Sequence, residues 1–129
     1  FLEKLNIEII GFDDYLFGQT ETDFYHIQSE YFHLIAMHEP VTSKFIESSG
    51  ENFILSGHTH GGQVSVPYFT KKLLPAGSDQ FIKGFYDMQA VSADTIIQMY
   101  VSSGIGLTRY PLRFFNVPEI IEVNLIRKE

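Results

Sequence analysis

The sequence predicts an α+β fold that is mainly β, with a strand–helix–strand unit around residues 31–57. Three observations carry this. Apolar and polar residues alternate at Leu5-Asn6-Ile7-Glu8-Ile9, at Ile97-Gln98-Met99-Tyr100-Val101 and at Ile121-Glu122-Val123-Asn124-Leu125, which is the period of a half-buried strand. Two nearly continuous apolar runs, 31–37 (broken by His33) and 52–55, suit buried strands. Between them, 41–49 reads as a helix with Phe45 and Ile46 inward and Gly50 as its stop. The 12 Phe and 7 Tyr also favour sheet.

Taken in order, the first alternating strand runs to Ile9 and ends in the turn Gly11-Phe12-Asp13-Asp14, whose aspartates are suited to capping their own backbone. Residues 15–22 read as a loop, and 23–29 as an edge strand or a short helix. His38-Glu39-Pro40 ends the strand 31–37; Glu39 is expected to be solvated or to cap the helix that follows. Strands flanking a helix in this way run parallel and end at the same sheet edge. That edge is where open α/β sheets bind ligands. Residues 63–66 read as a continuing strand, 67–83 as irregular with Pro67, Pro75 and Gly77 as punctuation, and Gly84-Phe85-Tyr86-Asp87 as the start of another strand. After the strand 95–101 come a flexible loop, Ser102-Ser103-Gly104-Ile105-Gly106, an irregular segment 107–118, and a last strand at 121–125.

The totals exclude several classes. At 129 residues the chain is one domain. A formal charge of −7 argues against nucleic-acid scaffolds and anionic lipid as general partners. The absence of cysteine removes disulfides, thiolate metal sites and cysteine nucleophiles. The chain begins at Phe1 and not at Met, and reads as a piece of a longer protein.

Chemistry concentrates in Leu55-Ser56-Gly57-His58-Thr59-His60-Gly61-Gly62-Gln63. On an extended backbone His58 and His60 point to the same side, and the glycines permit close approach. With His38 at the end of the parallel neighbour, three imidazoles converge on one edge, and neutral imidazole is a common metal ligand. Three can hold one zinc with an open position; two metals suit phosphoester chemistry better but need a bridging carboxylate. Arg113 is a candidate for bidentate phosphate contact or a structural arginine. His26 and His33, inside strands, read as hydrogen-bonded or surface histidines.

Gly57-His58-Thr59-His60-Gly61-Gly62-Gln63 after a buried strand resembles the last metal motif of the calcineurin-like metallophosphoesterases. Leu34-Ile35-Ala36-Met37-His38-Glu39-Pro40 resembles the motif before it. Ile9-Ile10-Gly11-Phe12-Asp13-Asp14, Tyr100-Val101-Ser102-Ser103-Gly104-Ile105-Gly106, Pro111-Leu112-Arg113 and Pro118-Glu119-Ile120 are similar to a bacterial branch, some of whose members are membrane-associated. The family's earlier Asp-x-His, Gly-Asp and Gly-Asn-His motifs are absent. The resemblance therefore implies that residues 1–129 are the C-terminal part of a family domain, one half of its αββα sandwich. It implies two divalent ions in the intact protein (Mn, Fe or Zn), with His38 and His58 on the second and His60 on the first. It implies a phosphoester substrate, with Arg113 or the loop at Gly104 expected at its rim. It further implies the missing N-terminal half as a partner, an isolated piece expected to be inactive and to self-associate, and a cytoplasmic or membrane-associated location. The rival readings are a non-catalytic binding or assembly module of the same fold and a mononuclear three-histidine zinc hydrolase.

Overall fold

Alternation and apolar runs become one sheet whose central strands carry the core. The computed structural model describes residues 6–20, 25–27, 30–48, 50–89, 96–109 and 111–126. In chain order the strands are β1 (Ile7–Gly11), β2 (Tyr25–Ile27), β3 (Phe32–Met37), β4 (Ile46–Ser48), β5 (Asn52–Ser56), β6 (Gly84–Gln89) and β7 (Ile96–Val101). Five of them form a sheet in the order β1-β3-β5-β7-β6, with β2 and β4 as a separate pair. β1, β3, β5 and β7 are parallel, and β6 closes the edge antiparallel to β7.

The register sets one apolar row straight across the sheet: Ile10, Ile35, Ile54, Met99 and Tyr86 are successive partners. Met37, Ile97 and Val101 extend this face, and Ile27, Ile46 and Phe81 pack onto it to complete the buried core. The other face is more open. Ile9 and Phe85 are exposed there, Phe85 meets Tyr100 edge-on at 4.7 Å, and residues 119–124 line a groove with Phe53, Phe85 and Tyr100. Among the described residues no helix is long and apolar enough to cross a membrane.

Several local expectations change. The helix expected over 41–49 is instead a 3₁₀ turn, Pro40–Phe45, followed by β4, which pairs in parallel with β2. β-branched Val41, Thr42 and Ile46 disfavour a helix, and pairing with β2 buries Ile46 and Ser48. This also settles the core of 23–29 as strand; its flanks, with Leu5 and Thr95, lie outside the described residues. The alternation at 121–125 yields no strand, because this segment runs along the open face, where no strand edge offers a ladder. Residues 63–66 contribute only the isolated bridge Val64–Phe114, and the irregular 67–83 contains one short helix, α1 (Thr70–Leu73). Asp13 and Asp14 do cap their own loop: Asp14 Oδ1 accepts from the amides of Leu16 and Phe17 at 2.9 and 2.7 Å, and Asp13 Oδ2 from that of Gln19 at 2.9 Å. His26 and His33 are cross-strand partners of glutamates, His26 Nδ1 lying 2.7 Å from Glu47 and buried His33 Nε2 3.2 Å from Glu8.

The core row yields a stability prediction. Ile54→Ala, at a fully buried position of the central strand, is expected to cost about 2–5 kcal/mol by urea denaturation. Ile9→Ala, on the open face, should change stability by less than about 0.5 kcal/mol.

Candidate metal centre

Three parallel strands end together, and backbone hydrogen bonds tie the residues that follow them. The His38 carbonyl accepts from the Gly57 amide at 3.2 Å and from Ser56 Oγ at 2.9 Å. The Ser102 amide donates to the Ser56 carbonyl at 2.8 Å. The segments after β3, β5 and β7 are thereby held at one edge.

The His-x-His stretch there is not extended, contrary to the alternation argument. Gly57 ends β5 and the chain turns at once: the Thr59 amide donates to the Gly57 carbonyl at 2.7 Å around His58, whose φ is +65°. An i to i+2 bond about a positive φ is a strained γ-turn. His60 follows at φ +50° and opens a 3₁₀ turn through Gly62. Such strain in non-glycine residues persists only where surrounding contacts enforce it, commonly at functional sites. The consequence is that the two imidazoles share a cleft but face different partners.

His58 Nε2 lies 2.6 Å from the Ala76 carbonyl and His58 Nδ1 lies 3.1 Å from His38 Nε2. A carbonyl only accepts, so Nε2 carries the proton and Nδ1 turns its lone pair toward His38. Two ring nitrogens 3.1 Å apart have the spacing of neighbouring ligands on one cation, given metal–nitrogen bonds of about 2.0–2.1 Å. The carbonyl behind His58 is the usual device for orienting such a ligand.

His60 is held separately. Its Nε2 is 2.8 Å from Thr108 Oγ1, and its carbonyl accepts from the Asn116 amide group. Gly61, at φ +61°, allows that approach, since a Cβ there would sit 2.6 Å from the Asn116 side chain. Partial burial holds the His60 imidazole below its ordinary pKa, against the pull of its hydrogen bond to the Gly106 carbonyl; Arg113, His58 and His38 add repulsion. The neutral ring, which is the ligand form, is favoured. Arg113 Nη2 donates to the carbonyls of Ser103, Gly104 and Gly106 at 2.7, 3.0 and 2.7 Å. Gln63 and Thr108 exchange hydrogen bonds of 3.0 and 2.9 Å. Together these fasten the loop after β7 against His60.

His38, His58 and His60 thus line one cleft of about 910 Å³, beside Gln63, Lys72 and Arg109. Arg113 and Gly104 belong to the supporting loop, with Arg113 Nη2 occupied by backbone. Glu39 departs from its expected solvated or capping role: it is 1 % exposed, makes no side-chain cap, and accepts from the Tyr15 amide through Oε2 at 2.9 Å. Sequence reasoning missed the Ala76 carbonyl and Gly77, since 75–78 carries no chemical signature of its own. The pairing of Pro75 and Gly77 as a tight turn was the one available signal.

Gly77 gives the site's prediction. Its φ is +87°, and an added Cβ would lie 2.8 Å from Glu39 Cγ. Gly77→Ala should destabilise the chain by about 1–3 kcal/mol, whereas Gly11→Ala, with open space around it, should be near neutral in the same urea titration.

No protein-family model matches the chain, and no solved structure matches it. It is 32 % identical over 116 residues to the uncharacterized metallophosphoesterase YkuE of Bacillus subtilis, covering 88 % of this chain and 38 % of that protein. An uncharacterized metallophosphoesterase of Campylobacter jejuni is 35 % identical over 96 residues, 74 % of this chain and 23 % of the relative. The phosphodiesterase YaeI of Escherichia coli is 27 % identical over 93 residues, 72 % of this chain and 32 % of its own length. The chain therefore spans well under half of the curated relatives it matches. Shared sequence across most of its length, reaching through the strand ends that carry the histidines, identifies the chain as a member of the calcineurin-like metallophosphoesterase superfamily.

Proposed function

We propose that this chain supplies the histidine side of a dinuclear metal site in a phosphoesterase that hydrolyses phosphomonoesters or phosphodiesters. The observation that carries the reading is the division of labour among the histidines. His38 Nε2 and His58 Nδ1 face each other at 3.1 Å, while His60 is turned to Thr108. Two rings suit one cation and the third suits another, which favours two ions over a single three-histidine zinc. The donor set fits Mn, Fe, Co or Zn, all of which imidazole nitrogen accepts.

When bound, divalent cations supply Lewis-acid polarisation of the phosphoryl group and a nucleophile at neutral pH. The chain's own residues prepare for this. The Ala76 carbonyl keeps the His58 proton on Nε2. Partial burial biases His60 toward its neutral form. Lys72 and Arg109 in the cleft wall offer charge to an anionic substrate. At the rim, Arg113 and Gly104 shape the substrate-facing loop, Arg113 by gathering its carbonyls.

The carboxylate that bridges two ions, and the cover for the open face of the sheet, come in this proposal from the rest of a longer protein. The chain alone is then inactive and associates through that face. The non-catalytic-module reading predicts no metal in the longer protein.

The test is hydrolysis of bis(p-nitrophenyl) phosphate with Mn²⁺. The longer protein should turn over and lose activity on chelation. His58→Ala should lower its kcat/KM by about 100-fold or more, as removal of a group acting in the transition state does. Chelator-sensitive turnover by the 129-residue chain alone, or full activity of His58→Ala in the longer protein, would refute the proposal.

A further inference from the structure

Glu39 is the group that the reading above leaves unused. We infer that it is a third ligand of the cation held by His38 and His58, so that these residues give the chain a complete two-histidine, one-carboxylate site for one divalent ion. The inference rests on His38 and His58 being ligands, and goes beyond that in giving the chain a carboxylate donor of its own.

The Glu39 carboxylate sits in a costly state. Glu39 is 1 % exposed, and a buried carboxylate is costly unless paired with positive charge or hydrogen-bond donors. Oε2 has the Tyr15 amide; Oε1 is buried with no hydrogen-bond partner. Among the described residues, no lysine or arginine forms an ion pair with Glu39. A cation would satisfy the orphaned oxygen and offset its desolvation.

Glu39 is also placed beside both histidines. A carboxylate oxygen of Glu39 and ring nitrogens of His38 and His58 all lie within 4.8 Å of one another. Ligands around one cation sit about 3 Å apart when bonds are about 2.0–2.2 Å, so closure takes a side-chain adjustment and no change of fold. Adjacent residues reach the same site because β3 stops at Met37, and the alternation of strand side chains stops with it.

Glu39 and His58 share a common support. A Cβ on Gly77 would lie 2.8 Å from Glu39 Cγ and 3.5 Å from His58 Nε2. The same turn accepts from His58 Nε2 through the Ala76 carbonyl at 2.6 Å, and from the Val41 amide through the Gly77 carbonyl at 3.1 Å. One loop therefore braces carboxylate and imidazole together, as a prearranged ligand pair requires.

The experiment titrates the 129-residue chain with Co²⁺ by calorimetry, following the visible absorption of the bound ion. Binding at one ion per chain is expected, abolished by His38→Ala or His58→Ala. Glu39→Gln keeps an acceptor for the Tyr15 amide but loses the charge, and should weaken binding at least about tenfold and alter the absorption bands. Unchanged affinity in Glu39→Gln, with the histidine variants inactive in binding, overturns the role of Glu39 and leaves the histidines standing. Failure of the wild-type chain to bind overturns a self-sufficient site, while the activity of His58→Ala in the longer protein still judges the phosphoesterase reading. If Glu39→Gln does not fold, the anomalous-scattering map of wild-type crystals soaked in Co²⁺ decides: a Glu39 oxygen within about 2.3 Å of the ion supports ligation, and one beyond about 3 Å refutes it.

Discussion

The site depends on one constraint, the common end point of β3, β5 and β7. The His38 carbonyl is the knot: it takes the Gly57 amide and the Ser56 hydroxyl, while the Ser56 carbonyl takes the Ser102 amide. Parallel pairing makes this arrangement natural, because strands running in one direction deliver their following loops to one edge. The apolar row Ile10–Ile35–Ile54–Met99–Tyr86 holds the register. A slip of one residue would turn that row outward and separate His38 from His58.

On this edge the chain adopts conformations that its residue types disfavour. His58, His60 and Gln63 all have positive φ, where side chains are strained. Each departure is enforced by contacts outside the motif. The Ala76 carbonyl holds the His58 ring, Asn116 holds the His60 carbonyl, and Thr108 clasps Gln63. Arg113 ties the loop that bears Thr108 back to the end of β7. Rigid positioning of imidazoles is what metal binding asks of a scaffold, since ligands held in place lose little entropy on coordination.

Charge is distributed to the same purpose. Burial favours the neutral form of His60, Glu39 keeps a buried carboxylate within 4.8 Å of ring nitrogens of His38 and His58, and Lys72 and Arg109 stand at the cleft wall. The chain as a whole is acidic, so the local arrangement, and not the net charge, governs what the cleft attracts.

The strands β1, β3, β5 and β7, and the arrival of His38 and of the loop carrying His58 and His60 at one sheet edge, were legible from the sequence, because period-two patterning and parallel connection are local rules with few solutions; the extended geometry expected for His58 and His60 was not found. The fates of 41–49 and 121–125 were not: propensity allowed a helix in one and a strand in the other, and the outcome turned on whether a partner strand lay alongside. The turned backbone at His58 and His60, the burial of Glu39, and the service of Arg113 to backbone carbonyls were decided by tertiary structure; the split of the histidines into a pair and a third, which the family resemblance implied, takes its geometry from the same contacts. The histidine and Glu39 contacts span 18 to 56 positions in the chain, while the Arg113 bonds to the loop carbonyls span 7 to 10, and no local pattern of residue types encodes either.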